Sequence, residues 1–215
     1  MDRQQRVVRE LLDAHGRTYA DEAGIRLKDT PQPLYRLLVL AHLLSARIRA
    51  SVALATARAL HEAGLRDPRS MAEADWQERV DALGRGGYRR YDERTATQLG
   101  ETAELLTERW GGDLRRLRRE ADGKVSELRH LLQEFPGIGP AGADIFLREA
   151  QGVWPEAAPY LDAKALQGAE RLNLPKDPGR LTELAGRTDP AVLAAALVRA
   201  AMDKDVAEDT LRRAG

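Results

Sequence analysis

Apolar residues recur every three or four positions along almost the whole chain, and nowhere do they alternate over the length of a strand. That periodicity suits amphipathic helices packed on one another and little else. Residue types agree: aromatics are 5% of the 215 residues, and alanine and leucine fill most apolar positions, as small and straight side chains do in helices. Helices are predicted over 3–14, Ala72–Leu83, Asp92–Trp110, Val125–Glu134, Ala141–Gln151, Ala163–Leu172 and Pro190–Met202. The strongest run, Leu34 to Leu44, continues through Ile48, Val52 and Leu54 and predicts a central buried helix. Pro31 and Pro33, Asp67-Pro68, the glycines at 84, 86 and 87, and Gly111-Gly112 mark the interruptions. No segment repeats at a fixed period. The predicted fold class is all-α.

Charge and composition exclude several kinds of chemistry. Thirty-four Lys plus Arg against thirty-four Asp plus Glu gives a net charge of zero, so nucleic acid cannot be held by bulk charge and any contact must be a local patch. Lysine occurs only at Lys28, Lys124, Lys164, Lys176 and Lys204, so amine nucleophiles are few. With no cysteine, thiolate catalysis, disulfides and an iron–sulfur cluster are excluded within these residues. No window approaches 18 apolar residues, and MDRQQRVVRELLDAHG reads as a charged amphipathic helix rather than a secretory signal. The expected location is cytoplasmic, on the nucleoid in a bacterium. His15, His42, His61 and His130 lack metal-ligand spacing, and His42 in its apolar helix is expected to be a hydrogen-bonded core residue.

The chemically informative stretch is LLQEFPGIGPAGA, ending at Ala143. Gly137 and Gly139 flank Ile138, which lets the backbone turn sharply while Ile138 plugs the space between two helices. Pro140 suits the first position of the following helix, where a missing N–H costs nothing. Such a turn presents backbone N–H groups at a helix N-terminus, a site for a phosphate oxygen. An ordinary connection between two helices is the alternative, since glycine and proline favour any turn.

Pro136-Gly137-Ile138-Gly139-Pro140-Ala141-Gly142-Ala143-Asp144-Ile145 resembles the helix-hairpin-helix of endonuclease III-like DNA glycosylases. Leu43-Leu44-Ser45-Ala46 is similar to that family's early buried helix, Gly86-Gly87-Tyr88 to its glycine-containing turn, and Asp162 to the aspartate that opens a later helix. The resemblance implies an all-α fold of two lobes with a cleft between them. One lobe would run from 30 to 152, and the other would join 1–29 to 153–215. It implies binding of double-stranded DNA, by a monomer without membrane contact, through Pro136, Gly137, Ile138, Gly139 and Ala141. It further implies extrusion of a damaged or modified base and hydrolysis of its N-glycosidic bond with Asp162 as the catalytic carboxylate. Bifunctional members carry a nucleophilic lysine where this chain has Ala141, and the adenine branch a glutamate where it has Ala41. Loss of the lysine implies a monofunctional enzyme without lyase activity. No cofactor is expected; a monovalent cation at the hairpin backbone is compatible with the resemblance.

Each candidate residue also has a plainer role. Asp162, directly before Ala163-Lys164-Ala165-Leu166, is equally a helix N-cap. Lys164 lies two positions on, about 200° around a helix, so it suits a phosphate contact or solvent better than a nucleophile beside Asp162. Arg47 falls where family members place a residue that fills the gap left by an extruded base, but it also suits a solvated helix face. Tyr88, followed by Arg89, Arg90 and Tyr91, suits a wedge beside the opposite strand or a simple surface loop. Arg115, Arg116, Arg118 and Arg119 read as a solvated face. The rival to the enzyme is a non-catalytic helix-hairpin-helix DNA-binding protein; a remoter one is an all-α interaction module with no DNA role.

Overall fold

The computed structural model describes residues 2–215, and every regular element among them is helical. In chain order these are α1 (Arg3–His15), α2 (Tyr19–Glu22), α3 (Pro31–Ser45), α4 (Ala50–Glu62), α5 (Pro68–Glu73), α6 (Trp76–Arg85) and α7 (Asp92–Trp110). They are followed by α8 (Leu114–Glu120), α9 (Val125–Leu132), α10 (Pro140–Ala150), α11 (Ala163–Arg171), α12 (Pro178–Ala185), α13 (Pro190–Met202) and α14 (Lys204–Ala214), with a short 3-10 turn at Pro155–Ala157. No helix among the described residues is long and apolar enough to cross a membrane.

Two predicted helices are each divided in the structure. The apolar run from Leu34 does not continue past Ser45: Ala46 and Arg49 are both extended, and α4 starts afresh at Ala50. The 72–83 region is broken by Asp75, which caps α6 through a reciprocal pair of hydrogen bonds with Glu78 at 2.8 Å each. Asp67 and Ser70 cap α5 in the same way, with Pro68 in the first turn. The prolines at 31 and 33 begin α3 rather than interrupt it.

The chain divides into two compact units, Ala20–Phe146 and a discontinuous one of Met1–Tyr19 with Leu147–Gly215. Their boundaries fall at 20 and 147 rather than at 30 and 152, for identifiable reasons. Ile25 lies against Tyr35 and Val39 of α3, and Arg36 donates to the Gly24 carbonyl, so residues 20–29 belong with α3. The last turn of α10 instead bonds to the other unit's own segments: Glu149 accepts from the Tyr19 amide and Arg148 pairs with Asp162.

In the Ala20–Phe146 unit, α3 is buried from Leu34 to Leu43 and packs against α4 and α8, while α7 packs against α5, α6 and α8. Gly86 has its Cα hard against Thr56, so the turn after α6 accepts no side chain there. In the other unit the alanine-rich α13 is buried almost all round. Around it pack α1, through Val7, Val8 and Leu11, and α11, whose Gly168 abuts the Leu197 carbonyl so closely that any Cβ would overlap it.

Candidate functional site

The hairpin lies between α9 and α10. Phe135 is buried against Trp110 at the end of α7, with ring centroids 5.4 Å apart, and its carbonyl accepts from the Ile138 amide at 3.0 Å. Ile138 is 4% exposed and reaches the backbone of Gly142, so it is the internal plug that the sequence suggested. Gly137, Gly139, Pro140 and Ala141 are exposed, and Pro136 half-buried. The two glycines are not equivalent. Gly137 has φ +81, and a Cβ on it would come within 2.6 Å of His42 Nε2 and 2.7 Å of Gln98 Oε1. Gly139 has neither a positive φ nor a neighbour within 4 Å, so the requirement expected of both positions holds only for Gly137.

Beside Gly137 lies an open hollow of about 300 Å³ within the Ala20–Phe146 unit. Arg47, just past α3, and Arg94, in the first turn of α7, line it together with Tyr91, His42 and Gln98. None of its lining residues is acidic. The arginines near the start of α8 differ: Arg115 pairs with Asp113 at 2.8 Å and Arg118 with Asp29 at 2.8 Å, which spends their charge locally. His42 is 5% exposed, and burial holds its pKa down at about 4, the Gln98 hydrogen bond opposing this and the Arg94 charge adding to it. Its Nδ1 has no hydrogen-bond partner among the described residues.

Tyr88 is not the surface wedge that its sequence position suggested. It is 2% exposed, with its hydroxyl 3.1 Å from Thr95 Oγ1, and burial raises its pKa above the ordinary phenol value. Tyr88 still lines the hollow from within, beside the half-exposed Tyr91, over which the Arg90 guanidinium stacks at 5.2 Å.

Asp162 belongs to the discontinuous unit and is the N-cap of α11, accepting from the Ala165 amide at 3.1 Å. Its side chain is 11% exposed and forms a buried ion pair with Arg148, whose Nη1 lies 3.3 and 3.4 Å from the two carboxylate oxygens. Gln151 braces the segment leading to it. Its amide donates to the Arg148 and Tyr160 carbonyls at 2.8 and 3.0 Å, and its oxygen accepts from the Tyr160 amide at 2.7 Å. Lys164 is exposed and donates to Gln167 at 2.8 Å, on another face of the helix from the buried carboxylate. The sequence reading missed Arg148, Gln151, Arg94 and Gln98. Among the described residues no group of three or more His, Asp or Glu could hold a metal ion, and no thiolate exists for an iron–sulfur cluster.

A helical chain in two units, the second completed by its own N-terminal helix, with a Pro-Gly-Ile-Gly hairpin at the end of the first, defines a helix-hairpin-helix fold. The fold is that of endonuclease III. A non-covalent endonuclease III–DNA complex superimposes with a TM-score of 0.55 at 15% identity, covering 93% of this chain and 85% of that one. A trapped endonuclease III–DNA covalent intermediate with an estranged adenine gives 0.50 at 18% identity over the same shares. No family model and no curated protein matches the sequence.

Proposed function

We propose that this protein binds double-stranded DNA and hydrolyses the N-glycosidic bond of a damaged or modified base, as a monofunctional glycosylase of base-excision repair. The observation that carries the reading is the arginine-lined hollow, free of acidic residues, directly beside the exposed hairpin in a chain of zero net charge. Arg47 and Arg94 supply the local patch that a neutral protein needs, and the amides around Gly139 and Ala141, where α10 begins, supply neutral donors to a phosphate oxygen. Tyr91 offers a ring beside the patch on which an unstacked base can rest.

Departure of a base builds positive charge on the deoxyribose, and a fixed carboxylate stabilises it. Asp162 is the residue assigned that role. Its cap bond to Ala165 fixes the side chain, and Gln151 fixes the backbone before it. Arg148 balances its charge in the free protein; a cationic sugar would compete with that guanidinium for the same oxygens. No amine stands at Ala141, and Lys164 is turned to solvent, so no Schiff base forms and the product is an intact abasic site. The reaction uses no iron–sulfur cluster, and a monovalent cation on the hairpin backbone would only assist phosphate binding. The protein acts as a monomer, on DNA and away from membranes.

The pairing of Asp162 with Arg148, and its full use as a helix cap, favour one competing reading, a DNA-binding protein without catalysis. Base release from a panel of lesion-containing duplexes decides between them. The enzyme reading expects excision by wild type, strand cleavage only after added alkali, and loss of excision in Asp162→Asn with duplex affinity retained. Duplex binding with no lesion released by wild type leaves the non-catalytic reading. A borohydride-trapped adduct lost in Lys164→Ala would overturn the monofunctional assignment.

A further inference from the structure

Helix α7 carries an unusual polar stripe on a face that is otherwise packed. Thr95 and Thr102 are each 2% exposed, and Gln98 lies between them at helical spacing. All three reach towards the segments of the same unit that the proposed function places on DNA. Thr95 holds the Tyr88 hydroxyl, so it ties the loop carrying Arg89, Arg90 and Tyr91. The Gln98 side-chain oxygen and the edge of the His42 ring both face Gly137, and together they form the surface on which its Cα rests. Thr102 donates to the Pro136 carbonyl at 3.4 Å. Burying the two threonine hydroxyls in a helical core is costly unless each is used, and apolar residues would pack as well; Gln98 between them is half-buried. Here each is spent on a segment at the rim of the hollow.

We infer that Gln98 is a positioning residue for duplex binding. With His42 it holds Gly137 in its left-handed conformation, so that the hairpin amides and the Arg47–Arg94 pair keep one fixed spacing along a DNA backbone. The inference rests on the proposed DNA-binding function and adds to it the residues that set the geometry. None of Gln98, His42 or Thr102 needs to touch DNA. With the pair broken, the hairpin turn relaxes away from the arginines and its phosphate contact is lost, while the arginine contacts remain.

The test compares wild type with Gln98→Met, which keeps side-chain length but removes the amide, using a fluorescent duplex titrated over a range of salt concentrations. Loss of the neutral amide contact to phosphate weakens binding about tenfold across the salt range, while the slope of log affinity against log salt, which counts the arginine contacts that displace counterions, stays as in wild type. A merely structural role would lower the melting temperature and leave the duplex affinity of the folded protein unchanged. Thr102→Val, which removes the bond to Pro136, is expected to act in the same direction and replaces Gln98→Met if that variant does not fold. Wild-type affinity and slope in the folded variant overturn the positioning role and leave DNA binding standing. So does a slope lowered by about one, which would place the loss at an arginine contact and not at the hairpin amides. No salt-dependent duplex binding by wild type overturns the functional reading, and the positioning role with it.

Discussion

The buried His42 makes the stability of this protein depend on acidity in a calculable way. Its ring sits at about 4 in the folded protein against an ordinary value of 6.5, chiefly because burial penalises the charged form. Between those two values the unfolded chain holds the proton more often than the folded one, so stability falls as pH is lowered through the window and is fully present above it. At 1.36 kcal/mol for each unit, the loss from pH 7.5 to pH 5 is about 2 kcal/mol, rising to about 3 kcal/mol at pH 4 and below. His42→Gln keeps an amide donor for Gln98 and does not titrate. Urea unfolding of both proteins at pH 7.5 and pH 5 gives two differences, and the wild-type difference should exceed that of the variant by about 2 kcal/mol. His15 and His61 also have lowered pKa values, but they are common to both proteins and cancel. Equal pH dependence in the two would refute the argument: His42 would then be solvated in the folded state or already carry its proton there.

Further outcomes follow from positions where backbone meets side chain. Gly137→Ala must displace the His42–Gln98 pair and strain a positive φ, which costs about 1–3 kcal/mol, whereas Gly139→Ala should stay within about 0.5 kcal/mol; thermal melts of both report it. Gly168→Ala drives a methyl into the Leu197 carbonyl and should cost about 3 kcal/mol or more by separating α11 from α13; a melting temperature equal to wild type would mean these helices stand further apart. Removing residues 1–15 deletes Val7, Val8 and Leu11 from the core around α13, each worth about 1.5–3 kcal/mol, so the truncated chain should lose several kcal/mol or fail to fold in a denaturant titration.

What could be read from the sequence followed from how local its causes are. Helix α13 was legible to the residue because Pro190 opens it and an apolar run fills it. The ends of α7 were legible because glycines at 111 and 112 close it. The hairpin carried its own turn chemistry. The break after Ser45 had no such mark, since residues 46–49 contain neither proline nor glycine. The cap at Asp75 was visible in principle, an aspartate with Glu78 three residues later, but the helical period runs smoothly across it. The Arg148–Asp162 pair spans 14 positions and the Gln151 brace 9, with a loop between, and no local pattern announces either. Tyr88 was misplaced because a neighbourhood of arginines says nothing about which way one ring points.

The contact between Gly168 and Leu197 has a mechanical meaning for the residue assigned to catalysis. Gly168 stands six positions after Asp162, about 9 Å along the helix axis at 1.5 Å per residue. At that distance α11 touches its neighbour backbone to backbone, without the compliance that a layer of rotatable side chains would add. The helix therefore pivots about a hard fulcrum, and the Asp162 carboxylate rides on a short lever arm. A small rocking of α11 moves the carboxylate little, and a larger one is blocked by the Leu197 carbonyl. Precision at Asp162 is thus set where there is no side chain at all.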